Sequence, residues 1–95
     1  MKNTEIAEVF LDIAELLRLK KDNIFKIRAY QKAARSIGEL SVAVAQLMTE
    51  GRLKEIPGVG AAITRKIAEL VTTGHLEYYQ KLKAEFPESL PSARG

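Results

Sequence analysis

The run Ile56-Pro57-Gly58-Val59-Gly60 combines residue types that can bind an anion through the backbone. Two glycines on either side of one small apolar residue let the chain adopt positive φ and turn successive N–H groups outward. The helical pattern that begins at Ala61 adds unsatisfied N–H groups and the positive end of a helix dipole. A phosphate group suits such a patch, with Ile56 and Val59 anchoring the turn in the core. The alternative is a plain tight turn, for which Pro-Gly alone suffices, and the second glycine favours phosphate binding.

Basic side chains form a second group with functional potential, on both sides of this turn: Lys26, Arg28, Lys32, Arg35, Lys54, Arg65 and Lys66. Arg28, Lys32 and Arg35 are spaced four and three residues apart, which places them on one face of a helix. A single surface lysine or arginine is usually only solvated, but these lie opposite a predicted phosphate site. The first segment is instead acidic, with Glu5, Glu8, Asp12 and Glu15. This polarised charge predicts a DNA-binding face, formed together with the hairpin residues Gly58, Val59, Gly60 and Ala61.

Apolar residues repeat at helical spacing through most of the chain, and they predict five helices, over residues 3–20, 24–37, 41–50, 61–73 and 77–86. Asn3 or Thr4 is expected to cap the first helix, and glycines are expected to end the next three, at Gly38, Gly51 and Gly74. No segment alternates with period two, so strands are not expected. The sequence therefore predicts an all-α fold, a compact bundle of four to five helices that contains one helix-hairpin-helix motif.

The 95 residues suit a single domain over 1–86, followed by a polar tail, 87–95, that is expected to be flexible. The chain has no cysteine and one histidine, His75, which argues against thiolate chemistry, a zinc site and a Ser-His-Asp triad. The net charge of +3 is too small to establish nucleic-acid binding without the distribution of the charges. No secretion signal or membrane-spanning stretch is visible, and a cytoplasmic, nucleoid-associated location is expected.

The hairpin and its surroundings, residues 53–63, resemble the helix-hairpin-helix of the family X DNA polymerases. Residues 29–34, Ala-Tyr-Gln-Lys-Ala-Ala, resemble the stretch upstream of that motif, and residues 68–76 resemble the helix and turn that follow it. The resemblance covers about residues 3–86 and is closest to the bacterial members. It implies the fold of the small, lyase-type N-terminal domain of DNA polymerase beta, without the polymerase palm or a phosphoesterase domain.

The resemblance implies sequence-nonspecific binding to gapped, nicked or single-stranded DNA in base excision repair. The other partners that it implies are the rest of a polymerase chain and other repair proteins. Binding to a membrane is not expected. The resemblance also implies that Lys66 is the Schiff-base nucleophile of a 5′-deoxyribose phosphate lyase, with Lys26 and Tyr30 arranging its pocket. Lys66 lies at the edge of the apolar stripe beside Arg65, and desolvation next to another cation favours the neutral amine that this chemistry needs. A monovalent cation, Na⁺ or K⁺, is implied at the backbone carbonyls of Lys54, Ile56 and Val59.

Four positions depart from the family pattern. Ala62 and Tyr78 stand where the family has lysines, Arg65 stands where some members have an acidic residue, and Phe25 stands where the family has a histidine. Phe25 is nevertheless expected to stack on an exposed base. Three functions remain open: a DNA-binding module, a lyase that uses Lys66, and a protein-interaction bundle that does not bind DNA. No polymerase activity is expected from this chain alone.

Overall fold

Five α-helices follow the apolar periodicity of the sequence: α1 (Asn3–Leu19), α2 (Ile24–Gly38), α3 (Val44–Thr49), α4 (Ala61–Thr73) and α5 (Glu77–Glu85). The structure is a computed structural model that describes residues 1–86, and the tail predicted over 87–95 lies outside this range. A short 3₁₀ turn, Leu53–Glu55, leads into the hairpin, and no strand occurs within the described residues. No helix among them is long and apolar enough to span a bilayer. The predicted all-α bundle is confirmed.

The core is built from the apolar stripes of the helices, with α1 and α2 forming the most extensive contact. Phe10 and Ile13 of α1 are fully buried, as is Ile37 of α2. From α4, Ile67 closes the same core, and Tyr79 of α5 is buried against it. Burial of these side chains supplies the main favourable free energy of folding, because apolar surface leaves water. The core therefore fixes the backbone on which the exposed residues of α2 and α4 are carried.

The helix ends show which local predictions were right. Gly74 directly follows α4 in a left-handed conformation, with φ of 79°, and Gly51, with φ of 69°, follows the C-cap residue Glu50 of α3. Gly38 is instead the last residue of α2 and has no left-handed φ. The predicted cap of α1 by Asn3 or Thr4 is wrong, since both residues lie inside the helix and Lys2 is its N-cap residue. The amide of Asn3 instead donates to the Val42 carbonyl at 2.7 Å and accepts the Val44 N–H at 2.9 Å. Asn3 therefore caps α3, which begins at Val44 and not at residue 41.

Two side-chain links join α1 to α5. Asp12 is 5% exposed, and its Oδ2 accepts a hydrogen bond from the Tyr79 hydroxyl at 2.7 Å. Near the ends of the same helices, the Lys20 ammonium lies 3.3 Å from the Glu85 carboxylate on the surface. A buried carboxylate needs hydrogen bonds to offset the loss of its water. Asp12 therefore belongs to the interior and does not contribute to the acidic surface of α1 that the sequence suggested.

Candidate nucleic-acid interface

The hairpin is anchored at two apolar points and exposed between them. Ile56 and Val59 are buried in the core, whereas Gly58 and Gly60 are exposed. Gly58 has φ of +84°, and the Val59 N–H donates to the Ile56 carbonyl at 3.0 Å to close the turn. A side chain at Gly58 would be strained because left-handed φ suits glycine. The turn therefore presents its backbone to solvent in the way that the sequence predicted.

The start of α4 adds an uncapped helix N-terminus to the hairpin. Gly60 is the N-cap residue and has no side chain with which to accept the first-turn N–H groups. The first turn carries no acidic residue, and Ala61 and Ala62 are exposed. The free N–H groups and the positive end of the helix dipole favour an anion at this point. The local geometry suits a phosphate oxygen.

Lys32 connects the basic face of α2 to the hairpin. A β-carbon built on Gly58 would lie 2.8 Å from Cγ and 2.9 Å from Cδ of Lys32, so the lysine stem lies across the turn. Arg28 and Arg35 precede and follow Lys32 on the exposed face of the same helix. The methylene groups of a lysine can cover neighbouring surface while its ammonium stays in water. The cationic row of α2 thus continues directly into the hairpin.

A pocket of about 460 Å³ opens where α2, the hairpin, α4 and α5 meet. Its lining includes Gly58, Gly60, Lys26, Tyr30, Lys66 and Tyr78. Two ammonium groups and the uncapped start of α4 therefore border the same space. This clustering brings together the hairpin, Lys26, Tyr30 and Lys66, which sequence reasoning had placed in one site.

A row of aromatic rings forms one wall of the pocket. Tyr78 stacks on Tyr30 with ring centroids 6.1 Å apart, and Tyr30 stacks on Phe10 at 5.9 Å. The ammonium of Lys66 lies 4.7 Å from the centroid of the Tyr78 ring, and that of Lys26 lies 5.7 Å from it. Both distances are within the range of cation–π attraction. Tyr78, which the sequence presented only as a departure from a family pattern, is thus central to the pocket.

The pKa values of the two pocket lysines are shifted in opposite directions. Burial of the half-exposed Lys66 side chain lowers its pKa, and the positive charges of Arg65 and Lys26 lower it further. The pKa of Lys26 is instead raised, first by hydrogen bonding to Tyr78 and also by Asp22, whose carboxylate lies 3.7 Å away. Lys66 is therefore the better amine nucleophile and Lys26 the more persistent cation.

Tyr30 has its hydroxyl group in a less polar environment than water. Burial raises the pKa of Tyr30 well above its usual range. The side chain is therefore a neutral phenol at physiological pH, and it is suited to donate a hydrogen bond and not to act as a base. This agrees with the arranging role implied for it by resemblance and gives no support to proton abstraction by Tyr30.

The other predicted contact residues lie outside the pocket on the surface around it. Arg28, Lys54 and Arg65 are exposed, and Phe25 is 75% exposed at the start of α2. Arg35 borders a separate groove on the α1 side of α2. The structure therefore extends the cationic surface beyond the pocket without placing these five side chains in it.

The predicted monovalent cation is tied to the backbone of the hairpin. The Ile56 carbonyl already accepts the Val59 N–H, which leaves it one lone pair. Beside Lys54, the hydroxyl of Thr64 is buried without a hydrogen-bond partner among residues 1–86. Within the same residues, no cluster of acidic or histidine side chains could hold a metal ion. Cation binding by the carbonyls of Lys54, Ile56 and Val59 stays a prediction.

An exposed glycine turn, an uncapped helix and a cationic pocket define the chain as a helix-hairpin-helix module, a class of protein that uses its hairpin to contact nucleic acid. The helix-hairpin-helix domain family matches residues 1–76, which include α1 to α4, and the chain belongs to this family. Membership in this family supports nucleic-acid binding in general, in agreement with the positive charge around the hairpin. Tyr78 and the rest of α5 follow the matched region.

Proposed function

We propose that the chain binds the phosphate backbone of DNA without sequence preference, at gapped or nicked sites during repair. In this proposal it is the N-terminal domain, or a free-standing relative, of a family X DNA polymerase of bacterial type, located in the cytoplasm with the nucleoid. The single observation that carries the proposal is the pocket in which Lys26 and Lys66 meet the uncapped start of α4. Two cations and free backbone N–H groups at one point match the charge and the acceptor oxygens of a phosphate.

The lack of sequence preference follows from the groups that form the site. The hairpin offers backbone N–H groups, and the surrounding side chains are lysines and arginines on helix surfaces. Contacts of this kind fix the position of the DNA and carry no information on its bases. They also displace condensed counterions, so the affinity should fall steeply as salt is added.

A fluorescence titration with labelled duplexes tests DNA binding. Gapped duplex with a 5′-phosphate, intact duplex and single-stranded DNA are compared at several salt concentrations, for the wild type and for Lys66→Ala. Arg18→Ala is the matched control, because Arg18 is paired with Glu15 on the acidic helix α1 and does not line the pocket. We expect tighter binding to the gapped duplex, a steep salt dependence and a loss only in Lys66→Ala.

Chemical-shift mapping with the same DNA distinguishes the module from a protein-interaction bundle. Under the proposal, the largest changes fall between Gly58 and Lys66, together with those at Lys32. An affinity that does not vary with salt, or shifts confined to α1, would reject DNA binding by the hairpin.

A second candidate function is the 5′-deoxyribose phosphate lyase, and the observation that favours it is the lowered pKa of Lys66 inside the pocket. The neutral Nζ would attack the C1′ aldehyde and release water to form an imine. Loss of a C2′ proton to water would then break the C3′–O bond and leave the downstream DNA with a 5′-phosphate end. Hydrolysis of the imine would release the unsaturated sugar phosphate and restore the lysine. Lys26, as the persistent cation of the pocket, would hold the 5′-phosphate.

Borohydride trapping tests the lyase. The protein is mixed with a DNA that carries a 5′-deoxyribose phosphate, and the imine is reduced to a stable amine. Lys66→Ala should abolish the covalent adduct, whereas Lys83→Ala, which removes a lysine held over Tyr79 outside the pocket, should not. An adduct that persists in Lys66→Ala would rule out Lys66 as the nucleophile, and no adduct in the wild type would reject the lyase while leaving DNA binding intact.

A further inference from the structure

We propose that Tyr78 is the positioning residue of the pocket, and that its ring holds the ammonium groups of Lys26 and Lys66 in place for one phosphate group. The inference rests on the proposed function, because the pocket is the same. It assigns a role to a side chain on α5, the helix that follows the matched hairpin domain.

The first argument is the position of the two cations. Lys66 and Lys26 lie 4.7 Å and 5.7 Å from one ring centroid, so a single ring contacts both ammonium groups. Like charges repel, and the negative face of an aromatic ring offsets part of that repulsion. Among the ion pairs of residues 1–86, Lys26 is joined to Asp22 and none includes Lys66. The Tyr78 ring is therefore the contact that orients the Lys66 ammonium.

The second argument is that the ring is itself held by the core. Tyr78 stacks nearly parallel on Tyr30, with an angle of 17° between the ring planes, and Tyr30 stacks on the fully buried Phe10. The next residue, Tyr79, is hydrogen-bonded to buried Asp12. The position of the Tyr78 ring is thus set by α1 and α2, whereas a lysine in water samples many rotamers. Because the ring is fixed by packing on the core, its contact restricts the rotamers of the two lysine side chains.

The third argument separates the ring from the hydroxyl. The face of the ring contacts the Lys66 ammonium and stacks on Tyr30, whereas Lys26 also forms a hydrogen bond with Tyr78. Phenylalanine keeps this face, and leucine removes it at similar bulk. Tyr78→Phe should therefore preserve the position of the Lys66 ammonium, and Tyr78→Leu should lose it.

The test uses pyridoxal 5′-phosphate and pyridoxal, two aldehydes that differ by the phosphate. The Lys66 amine condenses with the aldehyde to an imine and water, borohydride reduces the imine to a secondary amine, and peptide mass spectrometry measures labelling at Lys66. The readout is the labelling rate with pyridoxal 5′-phosphate divided by the rate with pyridoxal. This ratio rises when the Lys26 ammonium binds the phosphate group of the reagent. Lys83, 4.4 Å from the Tyr79 ring and outside the pocket, is the internal control. Its ratio gives the baseline, because pyridoxal closes to an internal hemiacetal and reacts more slowly than its phosphate with any lysine.

We expect a phosphate preference at Lys66 in the wild type and in Tyr78→Phe, and a preference reduced by about fivefold or more in Tyr78→Leu and in Lys26→Ala. A preference that is equal in Tyr78→Leu and the wild type would overturn the inference. A second measurement does not depend on the leucine variant: the Cε protons of Lys66 should show upfield ring-current shifts in the wild type and in Tyr78→Phe. Their absence in the wild type would also overturn it.

The outcomes separate this inference from the proposed function. If DNA fails to bind while the labelling ratio behaves as expected, the DNA proposal falls and the positioning role of Tyr78 stands. If DNA binds and the ratio is the same in all Tyr78 variants, only the positioning role falls.

Discussion

The stem of Lys32 lies so close to Gly58 that a β-carbon on the glycine would be 2.8 Å from Lys32 Cγ. The same glycine has φ of +84°, so two independent features require that residue 58 have no side chain. One is local to the hairpin and the other comes from a helix more than twenty residues earlier in the chain. The predicted phosphate site and the basic row of α2 are therefore one packed unit.

Gly58→Ala should lower the free energy of unfolding by about 1–3 kcal/mol, because an L-residue is strained at positive φ and its β-carbon displaces the Lys32 stem. Gly60→Ala is the matched control, since its φ is −99° and nothing lies within 4 Å of the added carbon. Urea denaturation measures both. If part of the cost disappears in the background Lys32→Ala, that part comes from the contact; equal stabilities for the two glycine variants would contradict the strain argument.

Lys32→Ala should weaken DNA binding to a similar extent for all base sequences and reduce the slope of log K against log salt by about 1, as expected for one lost phosphate contact. The stem position over Gly58 places the charge beside the hairpin. Anisotropy titrations at four salt concentrations measure the slope. Arg18→Ala on α1 should leave the slope unchanged, and an unchanged slope in Lys32→Ala would remove this residue from the interface.

The pKa of Lys66 should lie below the usual value of about 10.4, and two neighbouring substitutions should move it in opposite directions. Arg65→Gln removes a positive charge that lowers the pKa, so it should rise; Glu69→Gln removes a negative charge that raises it, so it should fall. The glutamine at 69 keeps an acceptor for the Glu77 N–H, 2.8 Å from Glu69 in the wild type. Carbon-13 NMR titration of the Lys66 Cε measures each value.

The same shift has a consequence for stability. The pKa of Lys66 is lower in the folded than in the unfolded chain, so the unfolded chain binds more protons between the two values. The free energy of unfolding should therefore rise with pH through that window. Lys66→Met should remove this gain. A pKa at or above that of free lysine, or shifts of the same sign in the Arg65 and Glu69 variants, would contradict the electrostatic account.

Tyr79→Phe should cost about 1–3 kcal/mol of stability, because it removes a hydrogen bond from buried Asp12. The exposed pair of Lys20 and Glu85 joins the same two helices and serves as the control. Lys20→Ala should cost less than about 1 kcal/mol. Thermal or urea unfolding compares the two, and a double-mutant cycle with Asp12→Asn isolates the coupling. A cost for Tyr79→Phe no larger than that for Lys20→Ala would show that the buried bond is not important.

Sequence alone predicted the features that depend on neighbouring residues. The helical periodicity located five helices, and Gly51 and Gly74 were identified as stops because left-handed φ suits glycine. The hairpin was recognised for the same reason, since its glycines and the start of α4 are adjacent in the chain. Burial of Ile56 and Val59 was expected, and the structure confirms it.

Periodicity did not predict features that depend on distant residues, whereas the family resemblance did place Lys26, Tyr30 and Lys66 in one pocket. Asn3 was expected to cap its own helix, but its partners Val42 and Val44 are brought to it by tertiary packing. Asp12 has the spacing of a surface acid and is buried because Tyr79, 67 residues later, supplies a donor. Periodicity contains no information on such pairings. The role of Tyr78 required the position of α5 against α2, which only the folded chain provides.

The cap that Asn3 places on α3 predicts an order of events in folding. A helix of six residues is too short to persist alone in water, and Val44–Thr49 depends on a side chain from the other end of the N-terminal half. α3 should therefore form only after α1 has docked, and not as an early local structure. The Val44 N–H donates directly to Asn3. Its hydrogen-exchange rate should therefore report whether α1 and α3 are docked.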